Sequence, residues 1–187
     1  MDPISLAVDK TEELIGHSPH PAIVAVPLGA WTVSNVCDGL ALATGDRAYD
    51  DVARVSMAVG LIGAAGAIVT GLRDYSQIPK DRPSHEVATT HALGNALASS
   101  LMTASYVLRV RDHDRGRRTC LAARVLGLTA GAITIYTGWL GGKLIEEMGE
   151  GVKPVQDQTQ AREQGLADHG QGRDRLDPTA PLGAHPG

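Results

Sequence analysis

The chain has 187 residues and a formal net charge of −4, and 43% of its residues are hydrophobic although only 3% are aromatic and none is Phe. This mild negative charge gives no electrostatic support to a nucleic-acid partner. The two cysteines, Cys37 and Cys120, have neither the number nor the spacing of a disulfide framework or a zinc site. Glycine and alanine supply much of the apolar content, as in membrane helices that pack closely.

Four stretches nearly free of charge predict four helices. Each is about the twenty residues needed to cross a hydrocarbon core about 30 Å thick. The second contains no charged residue between 55 and 72, so it lacks the polar stripe of a solvated helix. The third is the weakest because it contains several Ser and Thr residues. We therefore predict an all-α, integral membrane, up-down-up-down four-helix bundle rather than a soluble one, with helices at about 21–44, 53–72, 87–109 and 119–146.

The ends of the chain differ from this domain in composition. Residues 1–15 form a polar, acidic segment without the pattern of a cleaved signal peptide. Residues 153–187 are rich in Gly, Pro, Gln and Asp and show no apolar periodicity, which predicts a disordered tail. The transmembrane domain is accordingly expected at 16–152.

Charge in the loops predicts the orientation. The segment RVRDHDRGRR at 109–118 carries five arginines, and the positive-inside rule places it in the cytoplasm with both termini outside. Asp38, deep in the first helix, is expected to pair with Arg54 or Arg124. Small residues at helical spacing predict close helix packing at glycines 60, 63, 66, 127, 131 and 138.

Histidines gather at the outer end of the predicted bundle. His20 and His91 belong to facing helices at similar depth, which is the arrangement that haem b or a transition metal requires. The alternative is that they are bonded to water, headgroups or Asp74. Arg73 and His17 complete the candidate cofactor-binding set. No catalytic residues are assigned, because no dinucleotide or phosphate motif and no Ser–His–Asp arrangement stands out.

The order of several short motifs resembles one bacterial family, the membrane proteins catalogued as domain of unknown function 2231. The similarity covers about 16–152. The matching features are GHSPHP at 16–21, PLG at 27–29, Asp38, GLRD at 71–74, His91 with Asn95, GWLGG at 138–142, Gly149, and Gly151 with Val152.

The resemblance implies a four-helix membrane protein in a redox-associated group, since some members are joined to Rieske iron–sulfur domains. This chain departs from the family after the Gly-Gly pair. Lys143 and Met148 stand where histidine often occurs, and Glu146 replaces a usual tyrosine. The departure lowers the expectation of haem.

Two functional hypotheses follow. In the first, the chain is a multi-pass subunit of the bacterial inner membrane that binds haem b or a metal through His20 and His91, with Asp74 or Arg73 orienting a histidine or a propionate. In the second, it is a cofactor-free structural subunit that docks an extracytoplasmic partner. The lipid bilayer is the expected surrounding in both, and a redox protein and a second copy of the chain are further candidate partners.

Overall fold

A computed structural model of the protein describes residues 16–151, together with residues 6, 8, 10, 11, 13, 14, 162 and 165. The predicted N-terminal segment and C-terminal tail otherwise lie outside the described residues. Within 16–151 the chain forms four long helices: α1 (His20–Thr44), α2 (Arg47–Gln77), α3 (Pro83–Asp114) and α4 (Leu121–Glu146).

Local sequence signals set where these helices begin and end. Gly45 adopts a φ of 75° after α1, a left-handed conformation that glycine tolerates best and that ends the helix. Asp46 then accepts a hydrogen bond from the backbone N–H of Ala48, 2.9 Å away, and so caps α2. Pro83 opens α3 at a position where its missing N–H costs nothing.

Helices α2 and α3 are longer than predicted. They begin six and four residues earlier than the expected 53 and 87, and they end five residues later than the expected 72 and 109. The reason is that loss of hydropathy marks the end of the apolar part of a helix, whereas caps mark the end of the helix itself.

The helices pack as two antiparallel hairpins, α1 with α2 and α3 with α4, which meet through α2–α3 and α1–α4 contacts. This arrangement creates two polar ends. We call the end with the α1–α2 and α3–α4 loops the arginine end. The opposite end, where α1 and α3 begin and α2 and α4 finish, is the histidine end.

Packing between the helices uses small side chains, and the large aliphatic ones point outward. The buried core contains Trp31, Met57 and Met102 but is otherwise mainly alanine. Many Leu, Ile and Val side chains are exposed, including Ile62 and Ile135 at 76% and 77%. A water-soluble bundle would bury these side chains, whereas a bilayer solvates them. Helices α1, α2 and α4 are each long and apolar enough to cross a membrane.

Helix α3 does not reach that degree of apolarity, so its crossing stays a prediction. Four of its hydroxyl groups are nevertheless satisfied within the helix. Thr89, Thr90, Ser100 and Thr103 each donate a hydrogen bond to the carbonyl four residues earlier, over 2.7–3.0 Å. Such bonds lower the cost of placing a hydroxyl in lipid.

Glycines allow the closest helix contacts. A Cβ added to Gly60 of α2 would lie 2.3 Å from Cδ1 and Nε1 of Trp31 in α1, so only glycine fits there. The same test confirms the packing prediction at glycines 63, 66, 127 and 131. The prediction for Gly138 is wrong, because a Cβ there would meet nothing within 4 Å.

Candidate functional sites at the two ends of the helices

The histidine end brings the two predicted ligand histidines together. His20 begins α1, and His91 lies about two turns into α3. Their ring centroids are 6.5 Å apart and the ring planes are inclined by 81°. Because the two residues belong to different hairpins, the pair bridges the interface between the hairpins.

Thr70 of α2 determines which nitrogen of His20 carries the proton. Its Oγ1 lies 3.1 Å from Nδ1 of His20 and 3.1 and 3.2 Å from the carbonyls of Gly66 and Ala67. A hydroxyl has one proton, which it donates to these carbonyls. When the proton goes to a carbonyl, the Thr70 oxygen accepts from an Nδ1–H of His20, and Nε2 of that ring keeps its lone pair.

His91 has the same tautomer for a similar reason. Its Nδ1 lies 2.8 Å from the carbonyl of Thr137 in α4, and a carbonyl can only accept. Nε2 then accepts from the side-chain amide of Asn95, 3.0 Å away on the next turn of α3. The Thr137 hydroxyl lies 2.8 Å from the oxygen of that amide and 3.2 Å from the carbonyl of Thr134, and the shorter contact favours donation to the amide oxygen.

Two glycines make room for the imidazoles. A Cβ on Gly71 would lie 2.8 Å from Cε1 of His20, and one on Gly141 would lie 3.0 Å from Cε1 of His91. The backbones of α2 and α4 therefore approach the rings directly. In the sequence these glycines were noted only as parts of family motifs.

The other predicted site residues lie at the edge of the pair. Asp74 accepts a hydrogen bond from Ser18, whose Oγ in turn accepts from the backbone N–H of His20 over 3.1 Å. Asp74 is thus linked through Ser18 to the backbone N–H of His20, and not to its imidazole ring, in these contacts. Arg73 lies 3.7 Å from Asp74, and the exposed His17 bonds through Nδ1 to the carbonyl of Ser18.

The segment after α4 folds back over this end. The backbone N–H of Ser18 donates to the carbonyl of Gly151 over 3.2 Å. Glu150, which is buried, accepts from Ser84 over 2.8 Å and lies 3.8 Å from Arg82. These contacts tie the end of the described chain to the starts of α1 and α3.

Lys143 and Met148 stand where the resemblance leads us to expect histidine. The described contacts of these two residues do not include His20 or His91. The Lys143 amino group lies 3.8 Å from a carboxylate oxygen of Glu147 and 5.9 Å from the ring centroid of Trp139. Met148 lies beyond the end of α4, and its backbone N–H bonds to the carbonyl of Lys143.

The arginine end holds a buried network of charges. Asp38 of α1 receives both terminal nitrogens of Arg109, whose side chain is fully buried, and also Arg124, 3.2 Å away. The predicted pairing with Arg124 is confirmed. The alternative with Arg54 is wrong, since Arg54 lies beside Asp51 at 3.5 Å. Arg109 was not among the predicted partners, because it stands where the predicted third helix meets the arginine-rich segment, whereas α3 continues past it.

The network extends through a second buried aspartate. Asp50 accepts from Arg124 and from Nε of Arg118, the latter at 3.1 Å. Arg118 also donates to the carbonyl of Ala41 over 2.9 Å. Buried charges need such partners, because an unpaired ion in an apolar interior is costly.

The donors at the histidine end limit which metal centre they could hold. Within the part of the chain that the structure describes, no three His, Cys, Asp or Glu side chains are grouped to bind a metal. Two imidazoles do not make a closed zinc site, which takes four ligands. They do match the axial ligands of a haem iron, and the Nδ1–H bonds to Thr70 and Thr137 are of the kind that orients metal-binding histidines.

The architecture defines a helical membrane protein with a polar site at each end of its hairpins. The chain belongs to the family of predicted membrane proteins designated domain of unknown function 2231, whose family model matches residues 16–154. Neither the curated proteins nor the solved structures include a significant match.

Proposed function

We propose that the protein is an electron-transfer subunit of the bacterial inner membrane that binds a redox-active metal centre, haem iron or a single transition-metal ion, between His20 and His91. The observation that carries the proposal is the close pair of imidazoles, each with its Nδ1 within hydrogen-bond distance of a protein oxygen. The Nδ1–H tautomer leaves Nε2 as the coordinating atom.

The spacing of the rings supports this assignment. His20 and His91 would hold the metal through their Nε2 atoms, and rings this close are near enough for both to reach one ion. The observed separation is 6.5 Å. For His91 to coordinate, the Asn95 amide must release Nε2. A bound redox metal would supply one-electron chemistry, while Thr70 and Thr137 hold the rings in place.

The remaining polar groups of this end have supporting roles in the proposal. Asp74 holds Ser18 and hence the start of α1, and Arg73 offers a positive charge next to it. With the arginine end in the cytoplasm, as its charge favours, both termini and the histidine end face outward. A redox protein partner would then exchange electrons at the extracytoplasmic face.

An absorption spectrum of the detergent-purified protein, oxidised and dithionite-reduced, tests the proposal together with metal analysis. We expect a stoichiometric metal, with Soret and α bands if the metal is haem iron, and loss of the metal in His20→Ala and His91→Ala. His85→Ala is the matched control, because His85 lies at the same end but packs on Tyr75 at 5.0 Å between ring centroids. Wild-type protein without stoichiometric metal would refute the metal centre.

The bond from Asn95 to His91 favours a second candidate, a cofactor-free subunit in which the polar groups join the hairpins and present an extracytoplasmic docking face. There Nε2 of His91 is satisfied within the protein. This candidate predicts a colourless, metal-free protein in which Asn95→Leu lowers the thermal midpoint by leaving Nε2 of His91 and the Thr137 hydroxyl without their amide partner. Under the metal-centre proposal, the same change would leave metal content intact.

A further inference from the structure

A cavity opens at the arginine end beside the buried charge network. Its volume is about 170 Å³, and it is bounded by the start of α2, the end of α3 and the loop before α4. The residues that line it are Arg47, Asp50, Asp51, Arg54, Arg109, His113, Gly116, Arg117 and Thr119.

Positive charge exceeds negative charge around this cavity even after every ion pair is counted. The lining residues and their ion-pair partners comprise six arginines and four aspartates, which leaves two positive charges in excess. The arginines are 47, 54, 109, 117, 118 and 124, and the aspartates are 38, 50, 51 and 112. A partly enclosed cavity with this excess attracts anions.

Arg54 is the lining residue best placed to receive an anion. Its Nε has no hydrogen-bond partner among the described residues and almost no accessible surface, whereas its side chain as a whole is 24% exposed, so its terminal nitrogens are the donors that a ligand can reach. Its terminal nitrogen is only at the limiting distance of 3.5 Å from Asp51, whose side chain is 54% exposed. Arg47 lies about two turns earlier on α2, and one of its nitrogens donates to the carbonyl of Gly116. Both guanidinium groups retain donors for a ligand.

We propose that this cavity binds a phosphate group, and that its source is the headgroup of an anionic phospholipid. A guanidinium fork matches the geometry of phosphate oxygens, and the N-terminus of α2 at the same place adds partial positive charge. The cavity lies at the end of membrane-spanning helices, where headgroup phosphates are concentrated, and basic pockets between such helices bind anionic headgroups. This proposal is independent of the metal centre at the other end.

Ligand-dependent thermal stability of the full-length protein in detergent tests the proposal, because a ligand that binds the folded state raises its midpoint. The probes are short-chain phosphatidylglycerol, short-chain phosphatidylcholine and inorganic phosphate. We expect a saturable rise with phosphatidylglycerol and a much smaller one with the zwitterionic lipid. Loss of one charged donor in Arg54→Gln should weaken the apparent affinity about tenfold.

Arg111→Gln is the matched control, because it removes the same charge from the same end at a residue that does not line the cavity. It should retain wild-type affinity. Arg47→Gln, at an exposed residue, is the second test variant if Arg54→Gln does not fold. Equal stabilisation by inorganic phosphate would assign the cavity to a free anion and overturn the lipid source. The site would be overturned if Arg111→Gln weakened the apparent affinity as much as Arg54→Gln does. It would also be overturned if neither phosphatidylglycerol nor inorganic phosphate gave a saturable rise in the thermal midpoint.

Discussion

Asp38→Ala is expected to destabilise the protein by about 3–5 kcal/mol, because it leaves the buried guanidinium group of Arg109 without its carboxylate and takes one of two carboxylates from Arg124. The Arg109 side chain is fully buried and spends both terminal nitrogens on Asp38, and Arg124 is 7% exposed. Both side chains are therefore largely removed from solvent in the folded protein. The free energy of unfolding, measured by titration with a denaturing detergent in mixed micelles, gives the size of the effect.

Asp114→Ala is the control for this prediction, since Asp114 is an exposed aspartate at the same end of the molecule. Its loss should change stability by no more than about 0.5 kcal/mol. Combining Asp38→Leu with Arg109→Met removes both members of the bidentate pair and should restore part of the lost stability, because no unpaired charge is created at that pair. A single Asp38→Ala variant as stable as wild type would contradict the paired network.

Gly60→Val is expected to disrupt packing between α1 and α2. A Cβ at Gly60 would overlap the indole of Trp31, which is 5% exposed and surrounded by the core. Relief requires the ring or the helix to move, and overpacking of this kind costs about 1–3 kcal/mol or more. The same unfolding titration measures the loss, and tryptophan fluorescence reports movement of the indole.

Gly39→Val separates this steric effect from the helix propensity of valine. Gly39 is also helical, but a Cβ there would meet nothing within 4 Å. Both substitutions carry the same intrinsic cost of a β-branched residue. If Gly60→Val were no more destabilising than Gly39→Val, the close approach of α2 to Trp31 would be refuted.

Much of the candidate site could be predicted because the side-chain type of its histidines already indicates a possible ligand. His20 and His91 are recognisable as polar groups near the ends of apolar helices, and antiparallel threading places them at one end. Their orienting partners could not be found in the same way. Thr70 and Thr137 resemble any other hydroxyl residue of a membrane helix until the helices are packed, and Thr137 uses its backbone carbonyl, which every residue has.

In the buried charge network, too, one residue could be predicted from the sequence and its partners could not. Asp38 is conspicuous as a lone charge in an apolar helix, and the expectation that it is paired follows from the cost of burying it. The choice among candidate arginines depends on the register and rotation of α3 and α4 against α1. In the sequence, Arg109 is the first arginine of the segment 109–118. In the structure, α3 continues five residues beyond it, and its side chain is buried against Asp38.

The sequence by itself determined the helical class, the apolar stretches of α1, α2 and α4 that can cross a membrane, and the family. The helical class and the apolar stretches depend on composition and on local turn and capping signals, which act over a few residues along the chain. The family rests on the order of the short motifs. Only the tertiary structure decided that the two histidines approach to 6.5 Å, that Asn95 already bonds to His91, and that Arg109 pairs with Asp38. The histidine approach and the Arg109–Asp38 pair join residues on different helices, so they depend on packing of small residues such as Gly71 and Gly141. Asn95 and His91 share one face of α3, but Asn95 is also bonded to Thr137 of α4.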